Sequence, residues 1–315
     1  MRWIIFIAIY VAIDVYAFQA LKTVTNSRWI YTLWVLVSIG LLGLVIYQLS
    51  LAGSSRTMSP ARMYTFGFFL AVFVPKLVLI LIMFGEDIVR LVVGLFAKIG
   101  GNEAGFYVPS RRKFISTVAL GIAAIPFTSL LYGMYKGKYN YKVLKYALEF
   151  DDLPDAFDGY TLTQISDVHS GSFDNKEKIA YGIDLINEQQ SDIILFTGDL
   201  VNNVAEEMLP WKDLFSSLSA KDGVYSVLGN HDYGDYVSWN SEREKEQNLS
   251  DLKNLQKEMG WRLLLNENVT LNRNNETIKL IGIENWGAGG FKKAGDLEMA
   301  CEGCDTTDFK ILMSH

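Results

Sequence analysis

Cysteine, proline and charged residues are all scarce in this sequence. Its 315 residues include 2 Cys and 6 Pro, and only 20% are Asp, Glu, Lys or Arg. Two cysteines exclude a disulfide-rich scaffold, and a chain with 50% hydrophobic and 13% aromatic residues is not intrinsically disordered. The mean hydropathy of +0.16 is high for a soluble enzyme. A chain of this length has room for about two domains.

The scarce charges are divided unevenly between two regions. Residues 1–134 contain 11 Lys and Arg against 4 Asp and Glu, whereas residues 135–315 contain 18 against 31. The net charge of −6 therefore combines a region of +7 with a region of −13. We predict an N-terminal membrane anchor at 1–134, a linker at 135–141 and a second domain at 142–315. A nucleic-acid partner is not expected, because binding phosphates needs a basic surface.

Four long apolar runs lie in the first region. A helix needs about 20 apolar residues to cross a bilayer, and the runs 3–21, 29–52, 65–84 and 114–133 meet this length with at most one charge each, Asp14 or Lys76. These two residues predict a structural ion pair more readily than an ion path. The run 88–97 is too short to cross, so it either continues the third helix or lies in the interface. The sequence thus predicts a multi-pass protein of the cell membrane.

The distribution of Lys and Arg predicts the orientation of the spans. With the N-terminus outside, the cytoplasmic loops carry the larger share of positive charge, as the positive-inside rule requires. Four lysines at 136–145 argue against this arrangement. The segment 110–115, which contains Arg111 and Arg112, resembles a twin-arginine export signal, and its alternative is a basic flank that ends a helix. We expect the second domain on the extracytoplasmic side.

The second region alternates between short β-branched runs and polar helical stretches, which is typical of an α/β layered domain. Predicted strands are 160–166, 193–197, 224–228, 277–283 and 309–313, with 142–150 as an extra edge strand. Predicted helices are 175–189, 208–218 and 242–259. In such sheets functional residues gather beyond the carboxyl ends of the strands.

All three histidines of the chain follow predicted strands, two of them beside Asp or Asn. The potential ligands at these strand ends are Asp167, His169, Asp199, Asn230, His231 and His315. Oxygen ligands mixed with imidazole suit divalent Mn, Fe or Zn. A carboxylate such as that of Asp199 could bridge two ions.

The order of these motifs resembles the calcineurin-like metallophosphoesterases. The motifs are Asp-x-His at 167–169, Gly-Asp at 198–199, Gly-Asn-His-Asp at 229–232 and the later His315. The flanking segment 164–169 is similar to the membrane-associated bacterial branch. The resemblance covers residues 140–315 and implies a four-layer αββα sandwich with a dimetal site between its sheets.

The resemblance also implies a role for each matching residue. Asp167 and His169 would bind the first metal, Asp199 would bridge, and Asn230 and His315 would bind the second metal. His231 would contact the phosphate and help the leaving oxygen depart, and we interpret Asp232 as a helper that orients His231. Two cations would lower the pKa of a shared water, so that a bridging hydroxide attacks phosphorus in line.

These inferences predict a membrane-anchored phosphohydrolase, specifically a phosphodiesterase, acting on a lipid-linked phosphodiester or pyrophosphate. The alternative is a weakly active metallophosphoesterase fold that serves as a scaffold at the membrane. The resemblance expects a further Gly-His-x-His after His315, so we expect the natural sequence to continue. For Cys301 and Cys304, a structural loop is favoured over a redox role, with a disulfide or two thiols left open.

Overall fold

The computed structural model describes residues 2–51, 56–99 and 109–315. These residues form two compact units, one made of residues 2–51, 61–99 and 109–140, the other of residues 56–60 and 141–315. The end of the predicted span 29–52, at Ala52, lies outside the described residues.

The first unit consists of four helices that are long and apolar enough to span a membrane. They are α1 (Arg2–Val24), α2 (Arg28–Ser50), α3 (Pro60–Ile99) and α4 (Pro109–Tyr135). The predicted membrane anchor of four helices is confirmed. The run 88–97 is part of α3, whose 40 residues extend about 60 Å, roughly twice the thickness of the hydrocarbon core.

Small residues form the interior of this unit. Ala17 and Ala20 of α1 are buried together with Ala119 and Ala123 of α4, and small side chains allow helices to approach closely. At another level Tyr10 of α1 stacks on two phenylalanines of α3, at centroid distances of 5.7 and 5.9 Å.

Two polar networks cross the first unit. The Lys76 ammonium lies 2.7 Å from the Asp14 carboxylate, and Ser38 and Trp34 donate hydrogen bonds to that same carboxylate. In the second network, Arg112 forms ion pairs with Glu86 and Asp87 of α3. Each network joins different helices, so both stabilise the packing of the helices.

The second unit contains two sheets. The first is parallel, in the order β1 (Leu162–Ile165), β2 (Ile193–Phe196), β3 (Val224–Ser226) and β4 (Arg262–Leu263). The second pairs β5 (Glu267–Arg273) antiparallel with β6 (Glu276–Gly282), and β6 parallel with β7 (Lys310–Met313). The remaining helices are α5 (Lys176–Asn187), α6 (Lys212–Phe215), α7 (Glu242–Glu258) and α8 (Leu297–Ala300).

A single apolar core joins the two sheets. Ile193 and Leu195 of β2 pack with Val269 of β5 and with Ile278 and Leu280 of β6. The other face of β2 carries Phe196, which contacts Trp261 and through it Phe215 of α6. Because both faces of β2 are covered, all four of its residues are apolar and buried. This α/β architecture, with helices on the outer face of the parallel sheet, is consistent with the predicted sandwich.

Some predictions of secondary structure were wrong, and the short elements β4 and α8 were not predicted. Residues 142–150 are exposed and form no strand, since in the described part of the chain no other strand pairs with them. The predicted helix 208–218 is mainly the 3-10 helix Ala205–Trp211 followed by the short α6, because Pro210 lacks the N–H that an α-helix needs. Strand β5 was missed, although Asn274 and Asn275, both with positive φ, form a two-residue hairpin turn before β6.

Candidate metal centre

Each of the six predicted site residues follows the carboxyl end of a strand, in one or the other of the two sheets. Asp167 and His169 follow β1, Asp199 follows β2, and Asn230 and His231 follow β3. His315 follows β7 of the second sheet, and its Nδ1 donates to the Thr197 carbonyl beyond β2 at 2.8 Å. Both sheets therefore contribute to the site.

Asp199 lies at the centre of the cluster. Its Oδ2 is 3.6 Å from His169 Nε2 and 3.3 Å from His315 Nε2. Two groups of potential metal ligands include it, one with His169 and His231 and one with Asp167 and His315, each with its ligand atoms within 4.8 Å. Asp199 is thus shared by the two groups of potential ligands.

The grouping differs in detail from the implied assignment. His169 and Asp167 were expected to share a metal, and their closest nitrogen and oxygen are 3.8 Å apart, yet they belong to different groups. His231, expected to contact phosphate, is close enough to His169 and Asp199 to be a ligand as well. Asn230 directs its amide Nδ2 to the hydroxyl of Tyr236 at 2.7 Å.

The backbone at three of these residues is left-handed. Asp167, His169 and Asp199 have φ values of 53°, 46° and 59°. Residues other than glycine rarely adopt these φ values, and each residue that does costs on the order of 1 kcal/mol or more of stability. Such strain persists only where the surrounding structure compels it, and here the His169 N–H bonds the Asp199 carbonyl at 3.0 Å.

Two glycines allow the loops to approach each other. A Cβ at Gly198 would lie 2.6 Å from the Gly229 nitrogen, and φ at Gly198 is +103°. A Cβ at Gly229 would overlap the Asp199 carboxylate. The glycines of both motifs are therefore required by the geometry of the site.

Carbonyl groups fix two of the imidazole rings. His231 Nδ1 lies 2.7 Å from the Asn202 carbonyl oxygen, and His315 Nδ1 bonds the Thr197 carbonyl. Because a carbonyl oxygen only accepts, each Nδ1 carries the proton and each neutral ring keeps its lone pair at Nε2. The Nε2 of His315 lies 3.3 Å from Asp199 Oδ2, and His231 belongs to a group of potential ligands that includes Asp199, as metal ligands require.

The charges of the site are strongly coupled. Burial alone would raise the pKa of Asp199, but hydrogen bonds from His315 and from the His231 N–H outweigh it and lower the pKa. The same contact with Asp199 raises the pKa of His315 to about 9. In the metal-free site His315 is therefore protonated at neutral pH, and a cation would have to replace that proton.

Asp232 supports the site in a different way from the one expected. We expected it to orient His231, but its carboxylate instead accepts backbone N–H groups of Gly229, Asp199, Leu200 and Val201. Burial raises its pKa to about 7, the donors oppose this, and the nearby Asp199 adds to it. Asp232 thus holds the loop of Asp199 against the loop of His231.

Two supporting residues were not found from the sequence. Glu207 is buried and accepts the N–H groups of Asn202 and Asn203 at 2.7 and 3.0 Å, which fixes the turn whose carbonyl orients His231. Tyr236 lies over the His231 ring with centroids 4.4 Å apart. The signal for Tyr236 was its position five residues after His231 in an aromatic loop, while nothing in the sequence indicated Glu207.

The donor set fits divalent cations. It combines two carboxylates, an amide and three imidazoles, two of which have their Nδ1 held by a carbonyl, and this set suits Mn, Fe or Zn. Packing alone does not require two residues with a left-handed backbone, Asp167 and His169, beside the buried and equally left-handed Asp199.

Comparison with known proteins agrees with this interpretation. Residues 160–314 match the family model of the calcineurin-like phosphoesterases, and residues 1–138 match a model described as the transmembrane domain of a probable calcineurin-like phosphoesterase. The second unit is therefore a calcineurin-like metallophosphoesterase domain, and the chain belongs to this family of metal-dependent phosphoesterases. Its four spans make it a membrane protein.

Two relatives illustrate the family. A zebrafish (Danio rerio) transmembrane protein with a metallophosphoesterase domain is 26% identical over 68% of this chain and 49% of its own length. The uncharacterized metallophosphoesterase YkuE of Bacillus subtilis is 30% identical over 40% of this chain and 46% of its own length. The chain spans about half the length of each of these relatives.

Proposed function

We propose that the chain is a membrane-anchored phosphohydrolase, specifically a phosphodiesterase that uses two divalent cations. The observation that supports this most is the position of Asp199, which belongs to both groups of potential ligands. When bound, a pair of cations would polarise the phosphoryl oxygens and activate water for in-line attack.

His231 is the residue that we propose to act on the substrate. Its Nδ1 proton is committed to the Asn202 carbonyl, so any proton that it exchanges is at Nε2. From there it would bind a phosphoryl oxygen or protonate the departing oxygen. The Asp199 carboxylate accepts the backbone N–H of His231 at 2.9 Å, which holds this residue beside the ligands.

Hydrolysis by the full chain in detergent tests this proposal. The protein is stripped with a chelator and assayed on bis-p-nitrophenyl phosphate and p-nitrophenyl phosphate with Mn²⁺, Fe²⁺ or Zn²⁺. We expect metal-dependent hydrolysis, faster for the diester, that Asp199→Asn reduces by at least 100-fold, with Asp213→Asn as a surface control. Mn²⁺ binding without hydrolysis of either ester would favour the scaffold alternative.

We further propose that the substrate is a lipid-linked phosphodiester or pyrophosphate. Four spans confine the domain to the membrane surface, where the search for a lipid-borne ester is two-dimensional. Nanodiscs that contain a long-chain phosphodiester can be compared with a short-chain soluble analogue. A lower apparent KM for the long-chain ester supports the proposal, and equal KM values contradict it.

The extracytoplasmic side is our proposal for the location of the domain. It is supported by the positive charge in the loops between spans one and two and between spans three and four. An alkaline phosphatase reporter fused after residue 150 should be active. A green fluorescent protein reporter at the same position should be dark if it is exported unfolded, and fluorescent if it is exported folded. Changing Arg111 and Arg112 to Lys should block export if they are a twin-arginine signal. Unchanged reporter activity would mean that the two arginines are not an export signal. The role of Arg112 would then be structural, through its ion pairs with α3.

A further inference from the structure

A loop next to the metal centre, residues 234–241, carries the side chain that orients Asn230. The Tyr236 hydroxyl accepts a hydrogen bond from Asn230 Nδ2 at 2.7 Å. The two ends of an amide differ, since only the oxygen can bind a cation. By holding the NH₂ end, Tyr236 leaves Asn230 Oδ1 as the atom that can face a metal.

Tyr236 also holds the proposed substrate-binding histidine. Its ring lies over His231 at 4.4 Å with a 34° tilt, and His169 meets His231 edge-on at 4.8 Å. The position of His231 therefore depends on that of Tyr236. Tyr236 itself is 48% exposed, so its position depends on how the 234–241 loop is held.

This loop lacks regular secondary structure between the 3-10 turn His231–Tyr233 and α7. Trp239 closes it, because the indole Nε1 donates to the Gly234 carbonyl at 2.7 Å. Ser241 caps α7 by accepting the N–H of Glu244. The Glu244 carboxylate in turn accepts both the backbone and the side-chain N–H of Asn240 at 3.0 Å.

Arg56 joins these loop residues to one another. It belongs to the second unit, although it is 182 residues away from Ser238 in sequence. Its two terminal nitrogens donate to the two oxygens of Glu244 at 2.7 and 2.9 Å, and its Nε donates to the Ser238 carbonyl at 2.9 Å. Its guanidinium carbon lies 4.3 Å from the centre of the Trp239 ring.

The contacts of Arg56 need a planar guanidinium. A lysine has no flat fork that could bind both carboxylate oxygens, donate to a carbonyl and lie on an indole at once. The side chain of Arg56 is only 22% exposed and binds both oxygens of Glu244, which is the geometry in which an ion pair near the surface contributes most.

We propose that Arg56 is a positioning residue for the metal centre, which fixes the 234–241 loop so that Tyr236 orients Asn230 and His231. The proposal rests on the proposed function, since it assigns Asn230 to metal binding. Arg56 contacts Ser238, Trp239 and Glu244. The backbone of the loop connects Ser238 to Tyr236, whose hydroxyl accepts the hydrogen bond from Asn230.

Metal binding by the full chain in detergent tests the proposal without depending on catalysis. Mn²⁺ affinity is measured by electron paramagnetic resonance, and the visible spectrum of the Co²⁺ form reports on the ligand geometry. For Tyr236→Phe we expect an affinity about 10-fold weaker, as is typical when the partner of a metal ligand is removed, together with an altered Co²⁺ spectrum. Arg56→Gln and Glu244→Gln should change both properties in the same direction.

A double variant separates positioning from general loss of stability. Arg56→Gln combined with Tyr236→Phe should bind Mn²⁺ no more weakly than Tyr236→Phe alone, because both changes act through one hydrogen bond. Lys212→Gln, which breaks the Lys212–Glu258 pair elsewhere on the domain, is the matched control and should bind Mn²⁺ like the wild type.

The outcomes distinguish this proposal from the proposed function. Wild-type affinity and spectrum in Arg56→Gln, or losses that add fully in the double variant, would overturn the role of Arg56 even in an active phosphodiesterase. Mn²⁺ binding with the expected coupling but no ester hydrolysis would support the role of Arg56 and contradict the proposed activity.

Discussion

Replacing Asp232 by Asn should separate the loops that carry the metal ligands. The Asp232 carboxylate is fully buried, and its Oδ2 accepts the N–H groups of Asp199 and Gly229 at 3.0 and 2.9 Å. Its Oδ1 accepts those of Leu200 and Val201 at 2.8 and 3.3 Å. An Asn has one accepting oxygen, so its NH₂ group would face two N–H donors.

The size of the effect follows from these contacts. Two buried N–H groups left without acceptors cost about 1–3 kcal/mol each, or about 2–6 kcal/mol together. For a domain of this size each kcal/mol lowers the melting temperature by roughly 2–4 °C. We therefore expect the melting temperature of the second unit in Asp232→Asn to be lower than that of the wild type, by between several degrees and roughly 20 °C.

The measurement is a thermal unfolding scan of the full chain in detergent at pH 7.5, with chelator and with Mn²⁺. Asp213→Asn is the matched control, since Asp213 is an exposed carboxylate in α6. Mn²⁺ affinity should fall along with the melting temperature, because the Asp199 loop is one of the two loops that Asp232 holds. An Asp232→Asn protein that melts within a degree of the wild type and binds Mn²⁺ equally well would refute this reasoning.

Three other predictions concern the site and the membrane unit. Gly229→Ala should weaken Mn²⁺ binding by at least 10-fold, because its Cβ would overlap the Asp199 carboxylate. Gly290→Ala, where nothing lies within 4 Å of an added Cβ, is the control, and equal Mn²⁺ affinities for the two variants would contradict this account of the site. Because His315 has a pKa of about 9 without metal, Mn²⁺ binding at pH 7 should release a proton, and the Mn²⁺ affinity should increase as the pH rises towards 9. Calorimetry in buffers of different ionisation enthalpy measures the proton release. An Mn²⁺ affinity that does not change with pH would contradict this prediction. Lys76→Met should destabilise the first unit by about 3–5 kcal/mol, because it leaves the Asp14 carboxylate without its cation. Adding Asp14→Asn should restore much of the lost stability, as measured in thermal scans. A double variant as unstable as Lys76→Met alone would contradict the pairing.

The sequence predicted those parts of the fold that depend on local patterns. The buried run of β2 and the helices α5 and α7 were located to within about two residues, because apolar spacing and the capping residues Asn175 and Ser241 are local signals. By contrast, residues 142–150 alternate like a strand, but a strand also needs a partner, which the pattern cannot supply.

The site could be predicted in its residue types but not in its contacts. The positions of Asp199 and His315 followed from strand ends, since parallel strands bring their carboxyl ends to one edge. Arg56 and Glu207 gave no local signal, because their importance depends on contacts that only the folded chain creates. The function of Asp232 was misjudged for the same reason, as its partners are backbone groups.

The two sheets meet at the metal centre, and this has a consequence for unfolding. His315 belongs to the second sheet and binds the Thr197 carbonyl of the first across 118 residues of sequence, beside the Asp199 carboxylate. A cation held jointly by Asp199 and His315 would act as a removable cross-link that closes this long loop. Withdrawal of the metal would then loosen the second sheet first, so proteases should cut the β5–β7 region in chelator well before they reach the parallel sheet.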